Sequence, residues 1–182
     1  MQLLRISLMS ILSEKKKSIS LLVAVSIATI VSLLSISINM SFAVATVEDL
    51  REFAPILIIY TQQITDSLSS WVSVSNISAL VVSSLMIAGS FFLSTFNMKN
   101  QFKAYTLMGA SFAQNAIIAS VKNVVLFLAG FIGGVILSLL ASIIIGAISS
   151  TMMIFAIGNV FICLLIDLVL IMIVSIVIPL WS

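Results

Sequence analysis

Residues 97–146 read NMKNQFKAYTLMGASFAQNAIIASVKNVVLFLAGFIGGVILSLLASIIIG, and the rest of the chain is interpreted around them. The first half is polar and helix-prone, with Lys99, Lys103 and a break at Gly109-Ala110-Ser111. The second half is a long apolar segment with small residues on one helical face. A polar segment between two membrane spans indicates a surface for a soluble partner. The apolar segment indicates a packing element inside the bilayer.

The composition is that of a membrane protein. Of 182 residues, 62% are hydrophobic and 8% are charged, and the mean hydropathy is +1.34. Soluble domains carry about 25% charged residues, so this chain has too few polar groups to cover a surface in water. We therefore predict an all-α, polytopic membrane protein. Histidine is absent and Cys163 is the only cysteine, so we predict no catalytic residue, no metal site and no intrachain disulfide.

Four apolar runs predict four transmembrane helices, since about 20 apolar residues cross the hydrocarbon core. The first covers residues 18–45. Its end, Ala43-Val44-Ala45, is similar to a signal-peptide cleavage site, but the apolar region of a signal peptide has only about 7–15 residues. We therefore predict an uncleaved span. The other spans are predicted at residues 76–98, 123–149 and 152–180, with 160–180 as the alternative if the last turn falls at Gly158-Asn159.

The charged segments predict how the chain is oriented. Residues 1–17 are predicted to form an amphipathic helix in the membrane interface that ends at a basic cluster; a frayed terminus with a basic flank is the alternative. Basic residues mark the cytoplasmic side, which predicts that both termini and segment 99–122 are cytoplasmic and that segment 46–75 is outside. Only Arg51 lies on the outer side, and seven basic residues lie on the other: Arg5, Lys15, Lys16, Lys17, Lys99, Lys103 and Lys122.

The outer segment, residues 46–75, carries an apolar stripe at spacings near three and four, which includes Phe53, Leu57 and Trp71. The pattern predicts a helix that is interrupted or entered at Pro55. Its apolar run is too short to span a membrane. We predict that the stripe lies against the membrane or a neighbouring subunit, and that it is a contact for a protein outside the cell membrane.

The third span carries a small residue at every fourth position, and its first pair forms a GxxxG pattern. Such a ridge lets two helix backbones approach closely in lipid, although small residues are also common in membrane helices in general. We predict a packing or dimerisation face, and the partner helix stays open between this chain and a second copy. The ridge consists of Gly130, Gly134, Ser138, Ser142 and Gly146.

Asp167 lies in the middle of the last span. An ionised side chain at that depth costs roughly 2.5–3.5 kcal/mol on insertion scales. The alternatives are a neutral carboxyl that is hydrogen-bonded inside the bundle, a pair with another subunit, and a role in coupling or substrate handling.

Segment 99–122 is longer than a simple linker between two spans. Four of its residues, Gln101, Tyr105, Met108 and Phe112, fall roughly on one helical face, and Gly109-Ala110 is predicted to bend or break that helix. A solvated linker is the alternative. Because the surface mixes aromatic and basic residues, we predict that it docks a soluble partner.

The order of these features resembles the FtsX/MacB-like permease family of ABC transporters. The similarity lies in the basic-flanked start LLRISLMSILSEKKKSISLL, in QFKAYTLMGAS at residues 101–111 with the glycine-rich LAGFIGGVILSLL after it, and in the end IVSIVIPLWS. Two positions depart from the family pattern: Gln101 replaces a usual Glu, and Thr106 an often basic residue. Relatives carry a large folded domain where this chain has the short segment 46–75.

The resemblance implies a permease subunit that works as a dimer, with a second copy or a homologous permease, beside a separate ABC ATPase in a bacterial cytoplasmic (inner) membrane. It implies a coupling helix over residues 100–111, with Gln101, Tyr105, Met108, Gly109 and Ala110 at the ATPase contact. The sequence lacks a Gly-x-x-x-x-Gly-Lys-Ser/Thr loop, so ATP and Mg²⁺ would be bound by the partner ATPase, and the chain itself would be no enzyme and hold no cofactor.

Three functions follow as hypotheses. The first is export or extraction of a lipophilic or amphipathic substrate. The second is mechanical signalling to an extracytoplasmic partner, as in the cell-division branch of the family. The third is a membrane scaffold unrelated to ABC transport. Each involves the lipid bilayer, and none involves nucleic acid.

Overall fold

The computed structural model confirms an all-helical chain with four helices that are long and apolar enough to cross a membrane. The structure describes the backbone of residues 2–53, 58–149 and 157–180. It describes the side chains of residues 6–7, 9–41, 72–148, 158 and 160–179.

Six helices follow one another along the described chain. The parts that are long and apolar enough to span a membrane, among the residues with described side chains, are Lys15–Ser41, Val72–Phe96, Phe112–Ile148 and Val160–Pro179. The helices are α1 (Gln2–Ser13), α2 (Lys15–Phe53), α3 (Ile58–Phe96), α4 (Lys99–Leu107), α5 (Phe112–Ser149) and α6 (Ile157–Leu180).

The helices differ in length from the predicted spans. Helix α2 continues to Phe53 and α3 starts at Ile58, so most of segment 46–75 is helical, in keeping with its apolar stripe. Helix α5 starts at Phe112, which makes the second half of segment 99–122 the first turns of the third spanning helix. Helix α6 begins at Ile157 and runs through Gly158 and Asn159, and its part that is long and apolar enough to span a membrane is Val160–Pro179. Pro55 and Leu57 lie outside the described residues.

The four spanning helices form one bundle in which α2 packs on α3 and α5, and α6 packs on the other side of α3 and α5. The centre is apolar and well filled: the rings of Phe91 and Phe127 meet edge to face, with 6.5 Å between centroids. Val25 and Ile171 are fully buried beside them. The outer faces remain apolar and exposed, as expected for surfaces that contact lipid.

The small-residue ridge brings α5 against α2 within the same chain. A Cβ atom added at Gly130 would lie 2.9 Å from the Val25 side chain, and one added at Gly134 would lie 2.6 Å from Cβ of Thr29. The Ser26 hydroxyl donates a hydrogen bond to the Gly130 carbonyl across this contact, at 2.9 Å. The partner of the ridge at these two glycines is therefore α2.

The rest of the ridge is buried or half-buried. Ser138 and Ser142 are buried, and their hydroxyls donate to the carbonyls of Val135 and Leu139 in their own helix, both at 2.9 Å. Gly146 is half-buried.

We predict that Gly134→Ala destabilises the bundle by about 2 kcal/mol, because the added methyl group overlaps a β-branched side chain close to the α2 backbone and forces the helices apart. The measurement is the free energy of unfolding in mixed detergent micelles, followed by far-UV circular dichroism.

Gly89→Ala on α3 is the matched control. A Cβ atom added there meets no atom within 4 Å, so stability should stay the same or rise by up to about 1 kcal/mol through helix propensity. Equal losses for the two variants would contradict the close α2–α5 approach.

Candidate functional site

Helix α4 ends in a Schellman motif that the Gly-Ala pair makes possible. The amide of Gly109 bonds to the Thr106 carbonyl at 3.0 Å, and the amide of Ala110 bonds to the Tyr105 carbonyl at 2.9 Å. Gly109 has a φ of 93°, a left-handed conformation that a side chain would strain. The predicted break after α4 is therefore confirmed.

Helix α5 begins directly afterwards with a capping box. The backbone amide of Gln114 donates a hydrogen bond to the Ser111 hydroxyl at 3.4 Å. In return, the backbone amide of Ser111 donates to the side-chain oxygen Oε1 of Gln114 at 2.9 Å. This reciprocal pair fits a Ser-x-x-Gln pattern. The Gly-Ala-Ser triplet thus ends one helix and starts the next, which fixes the angle between α4 and α5.

Helix α4 is also fixed to α5 by its side chains. Phe102 is fully buried in a small cluster with Met98 and Ala119, and Tyr105 packs against that cluster. The Asn115 side-chain amide donates to the Thr106 hydroxyl at 3.0 Å. These side-chain contacts therefore hold α4 against α5, although α4 is only nine residues long.

One carboxylate ties three parts of the chain together at this end of the bundle. Lys122 on α5 lies 2.8 Å from Oε2 of Glu14, which stands between α1 and α2. The Gln101 amide of α4 donates to Oε1 at 3.1 Å, and Lys17 reaches the same oxygen at 3.4 Å. We call these four residues the Glu14 cluster.

The charges of the Glu14 cluster differ in exposure. The Lys122 side chain is 2% exposed and that of Glu14 is 17% exposed, whereas that of Lys17 is 64% exposed. Burial by itself raises the pKa of Glu14. The hydrogen bond and charge of Lys122, with smaller contributions from Lys17, outweigh burial and hold the pKa below its usual range. The buried Lys122–Glu14 pair is thus the main electrostatic contact of this site.

The predicted docking residues separate into two groups. Gln101 and Tyr105 face inward, onto Glu14 and the Phe102 cluster, and Ala110 is half-buried. Met108 is 75% exposed, and Gly109 is exposed beside it. Tyr105, Met108, Gly109 and Ala110 border a shallow groove of about 260 Å³ that Ile6, Gln114 and Ile118 complete.

Sequence reasoning missed three residues of this site. Leu107 is 89% exposed at the end of α4, next to Met108. In the sequence Lys122 is only one of the basic residues that mark the cytoplasmic side, and Glu14 is not singled out. For Lys122 the sequence does indicate a paired side chain, because a lysine inside a long apolar helix requires a partner. The sequence does not indicate which residue supplies it.

Asp167 lies inside the bundle and is 3% exposed. The Ser84 hydroxyl hydrogen-bonds to its carboxyl group, and its Oδ1 atom has no hydrogen-bond partner. Among the described side chains no cation pairs with it. The carboxyl is thus buried within the bundle beside the Ser84 hydroxyl, and the three alternatives for its role stay predictions.

A second polar contact joins three helices. The Asn123 amide of α5 donates to the hydroxyls of Thr95 on α3 and Ser175 on α6, both at 2.8 Å. No group of three potential metal-ligating side chains occurs among the residues that the structure describes. The predicted outer contacts Phe53, Leu57 and Trp71 lie outside the described side chains.

No family model matches the chain, and no curated protein matches it. The resemblance to FtsX/MacB-like permeases therefore stays a prediction from the residues that carry it.

We predict that Glu14→Gln lowers the free energy of unfolding by about 2–3 kcal/mol at pH 7, because it leaves the Lys122 ammonium buried without an anion. The pKa of Glu14 is lower in the folded chain than its usual value of 4.5. Its stabilising contribution is therefore complete above that pH and is lost as the pH falls through the folded pKa.

The measurement is the difference in stability between wild type and Glu14→Gln, taken from pH 7 down to pH 3. The difference should shrink toward the acid end. Lys17→Gln is the control, since an exposed pair contributes about 0–1 kcal/mol. If the stability difference between wild type and Glu14→Gln stays constant with pH, the Glu14 carboxylate is not its source.

We predict that Asp167→Asn changes stability by less than about 1 kcal/mol, because the amide has the same size and avoids the insertion cost of a charge. Ser84→Ala should cost about 0.6 kcal/mol, an average value for a hydrogen bond between membrane helices. Both are measured by unfolding in mixed micelles. A loss above about 3 kcal/mol in Asp167→Asn would instead indicate a required carboxylate.

Proposed function

We propose that this chain is the permease subunit of an FtsX/MacB-like ABC transporter and that α4 docks into a separate ATPase subunit. The observation that carries the proposal is the placement of α4, a short helix between two spanning helices in the chain that Phe102, Asn115 and Gln101 hold at one end of the bundle. A permease that receives motion from a soluble ATPase requires an element of this kind.

The contact surface of α4 is its exposed end. Leu107 and Met108 are among the most exposed apolar side chains described, and Lys103 is exposed on the same helix. Large apolar side chains that enter a pocket, surrounded by polar contacts, contribute most of the binding energy in many protein interfaces. Gln101 and Tyr105 support the docking surface from behind.

Motion of α4 reaches the membrane by two routes. The Phe102 cluster and the Asn115 hydrogen bond connect α4 to α5. Gln101 connects it to Glu14, and hence to the start of α2. Since α2 and α5 also pack closely at Gly130 and Gly134, the two helices would move together. ATP can drive this motion only if the ATPase binds two arrangements of the permease with different affinity.

Other parts of the proposal follow from the sequence. Without a phosphate-binding loop, the chain leaves ATP and Mg²⁺ to the partner ATPase and performs no catalysis itself. A second permease, identical or homologous, completes the transporter. The basic residues around α1, α4 and the start of α2 favour a cytoplasmic location for this end and for both termini, in a bacterial cytoplasmic membrane.

The proposed transporter exports or extracts a lipophilic or amphipathic substrate. A mechanical signal to an extracytoplasmic protein is the second candidate, and the length of α2 favours it. Residues 46–53 continue this helix beyond the predicted end of the first span, which adds roughly 12 Å at 1.5 Å per residue. Such an extension carries movement of the bundle away from the membrane surface.

We predict that Met108→Glu abolishes co-purification of an ATPase encoded beside this chain, because the carboxylate would be buried in an apolar pocket. Met108→Leu is the matched control and should retain both binding and ATP hydrolysis by the complex. The readouts are pull-down of the tagged permease and phosphate release. Because α4 does not bury Met108, both variants should fold.

Retained binding in Met108→Glu would overturn the docking surface. The absence of ATP hydrolysis in every complex purified with the wild-type chain would overturn the ABC assignment and favour the membrane scaffold.

A further inference from the structure

A groove of about 420 Å³ runs between α2 and α3 at the end of the bundle where α4 lies. It is separate from the exposed end of α4 and from the groove beside Met108. Its walls are formed by Lys16, Lys17, Ser20, Leu21 and Ala24 of α2 and by Ser90, Leu93, Ser94 and Asn97 at the end of α3.

The groove changes in polarity along its length. Lys16 and Asn97 lie at the ends of the two spans, and Ala24 and Ser90 lie about two helical turns further into them. A charged mouth thus leads into a wall that carries Leu21 and the exposed side chain of Leu93. A phospholipid has the same order of polarity, from headgroup to acyl chain.

The mouth of the groove carries an excess of positive charge. Three lysines occupy the first turn of α2, where the helix dipole is positive and cations are unfavourable. Glu14 is the only acidic residue in residues 1–41 and 97–122, which contain seven basic ones. Its carboxylate already contacts Lys17, Lys122 and Gln101. An anion from outside the chain would compensate this excess.

Several polar side chains of the groove are available to a ligand. Lys16 forms no ion pair with another described residue. The side chains of Ser20, Ser94 and Asn97 make no hydrogen bond to the described part of the chain. Ammonium, hydroxyl and amide groups are all donors to phosphate oxygens. They surround the mouth at the depth expected for a lipid headgroup.

We propose that this groove binds one anionic phospholipid, with its phosphate at Lys16 and Asn97 and an acyl chain along Leu21 and Leu93. Basic pockets between membrane helices are a known way to bind anionic headgroups. A soluble anion would satisfy the charge but leave the apolar part of the groove unfilled. The proposal does not depend on ATPase docking, since it concerns α2 and α3 alone.

A second groove at the same end, between α3 and α6, lacks these features. Its lysine, Lys99, lies over the Phe96 ring at 5.9 Å from the centroid, and its other walls are Phe92, Val177 and Ile178. The Lys99 ammonium is the one polar group among its lining residues, with no hydroxyl or amide beside it to complete a phosphate site.

The test is native mass spectrometry of the delipidated full chain, titrated with phosphatidylglycerol or with phosphatidylcholine of the same acyl chains. We expect one phosphatidylglycerol to bind in preference to phosphatidylcholine. Lys16→Gln should weaken that first binding event roughly fivefold, as expected for one lysine near an anionic headgroup. Lys15→Gln, one residue away and outside the groove, should leave it within about twofold.

A second variant keeps the charge and fills the space. Ser94→Phe should also abolish tight binding of the first phosphatidylglycerol, because the ring occupies the groove below the headgroup. Far-UV circular dichroism with heating checks that each variant is folded, and a variant that unfolds early is replaced by Ser94→Leu.

Three results would overturn the proposal. Equal loss in Lys15→Gln and Lys16→Gln would mean that surface charge alone attracts the lipid. Equal binding of the two lipids would remove the anionic requirement. Displacement of the bound lipid by millimolar inorganic phosphate in wild type but not in Lys16→Gln would mean that the groove holds a soluble anion.

Discussion

The buried Lys122 ammonium requires an anion, and the architecture at this end of the bundle depends on how Glu14 provides it. Lys122 lies within an apolar spanning helix, where an uncompensated charge would be costly. Glu14 is the only acidic residue in residues 1–41 and 97–122, and its Oε2 atom lies 2.8 Å from the Lys122 ammonium. The junction of α1 and α2 must therefore lie against α5, and Gln101 then draws α4 to the same carboxylate.

Gln101 suits its surroundings as a neutral amide, whereas a glutamate would not. Here a second carboxylate would face Glu14, and the two like charges would repel each other. The Gln101 amide instead donates a hydrogen bond and leaves Glu14 free for Lys122.

Inside the bilayer, close packing replaces the hydrophobic effect as the source of helix association. Gly130 and Gly134 let α5 approach α2, and Ser26 adds a hydrogen bond across that contact. Asn123 joins α5 to α3 and α6. The bundle therefore behaves as a connected body near α4, which is the property that the proposed transmission of motion requires. The lipid groove lies at the edge of this body, between α2 and α3.

The sequence by itself determined four spans, the packing ridge and the break at Gly109, because each depends on local patterns. The length of an apolar run predicts a membrane span, and small residues at every fourth position predict a packing face. Glycine is the residue that adopts a φ of 93° without strain, so Gly109 predicts the break. The first three spanning helices, α2, α3 and α5, are longer than their apolar runs, since helix propensity continues where the apolar run stops. The same patterns predicted a docking segment but not which of its residues face outward.

Only the tertiary structure decided that Gly130 and Gly134 meet α2 in the same chain, that Gln101 faces inward and that Leu107 is exposed. Each of these facts depends on contacts between residues far apart in the chain, as between Glu14 and Lys122. Such pairs leave no periodic signal in a single sequence, because either partner could satisfy its charge or fill its space in several ways. Helix packing selects one of them.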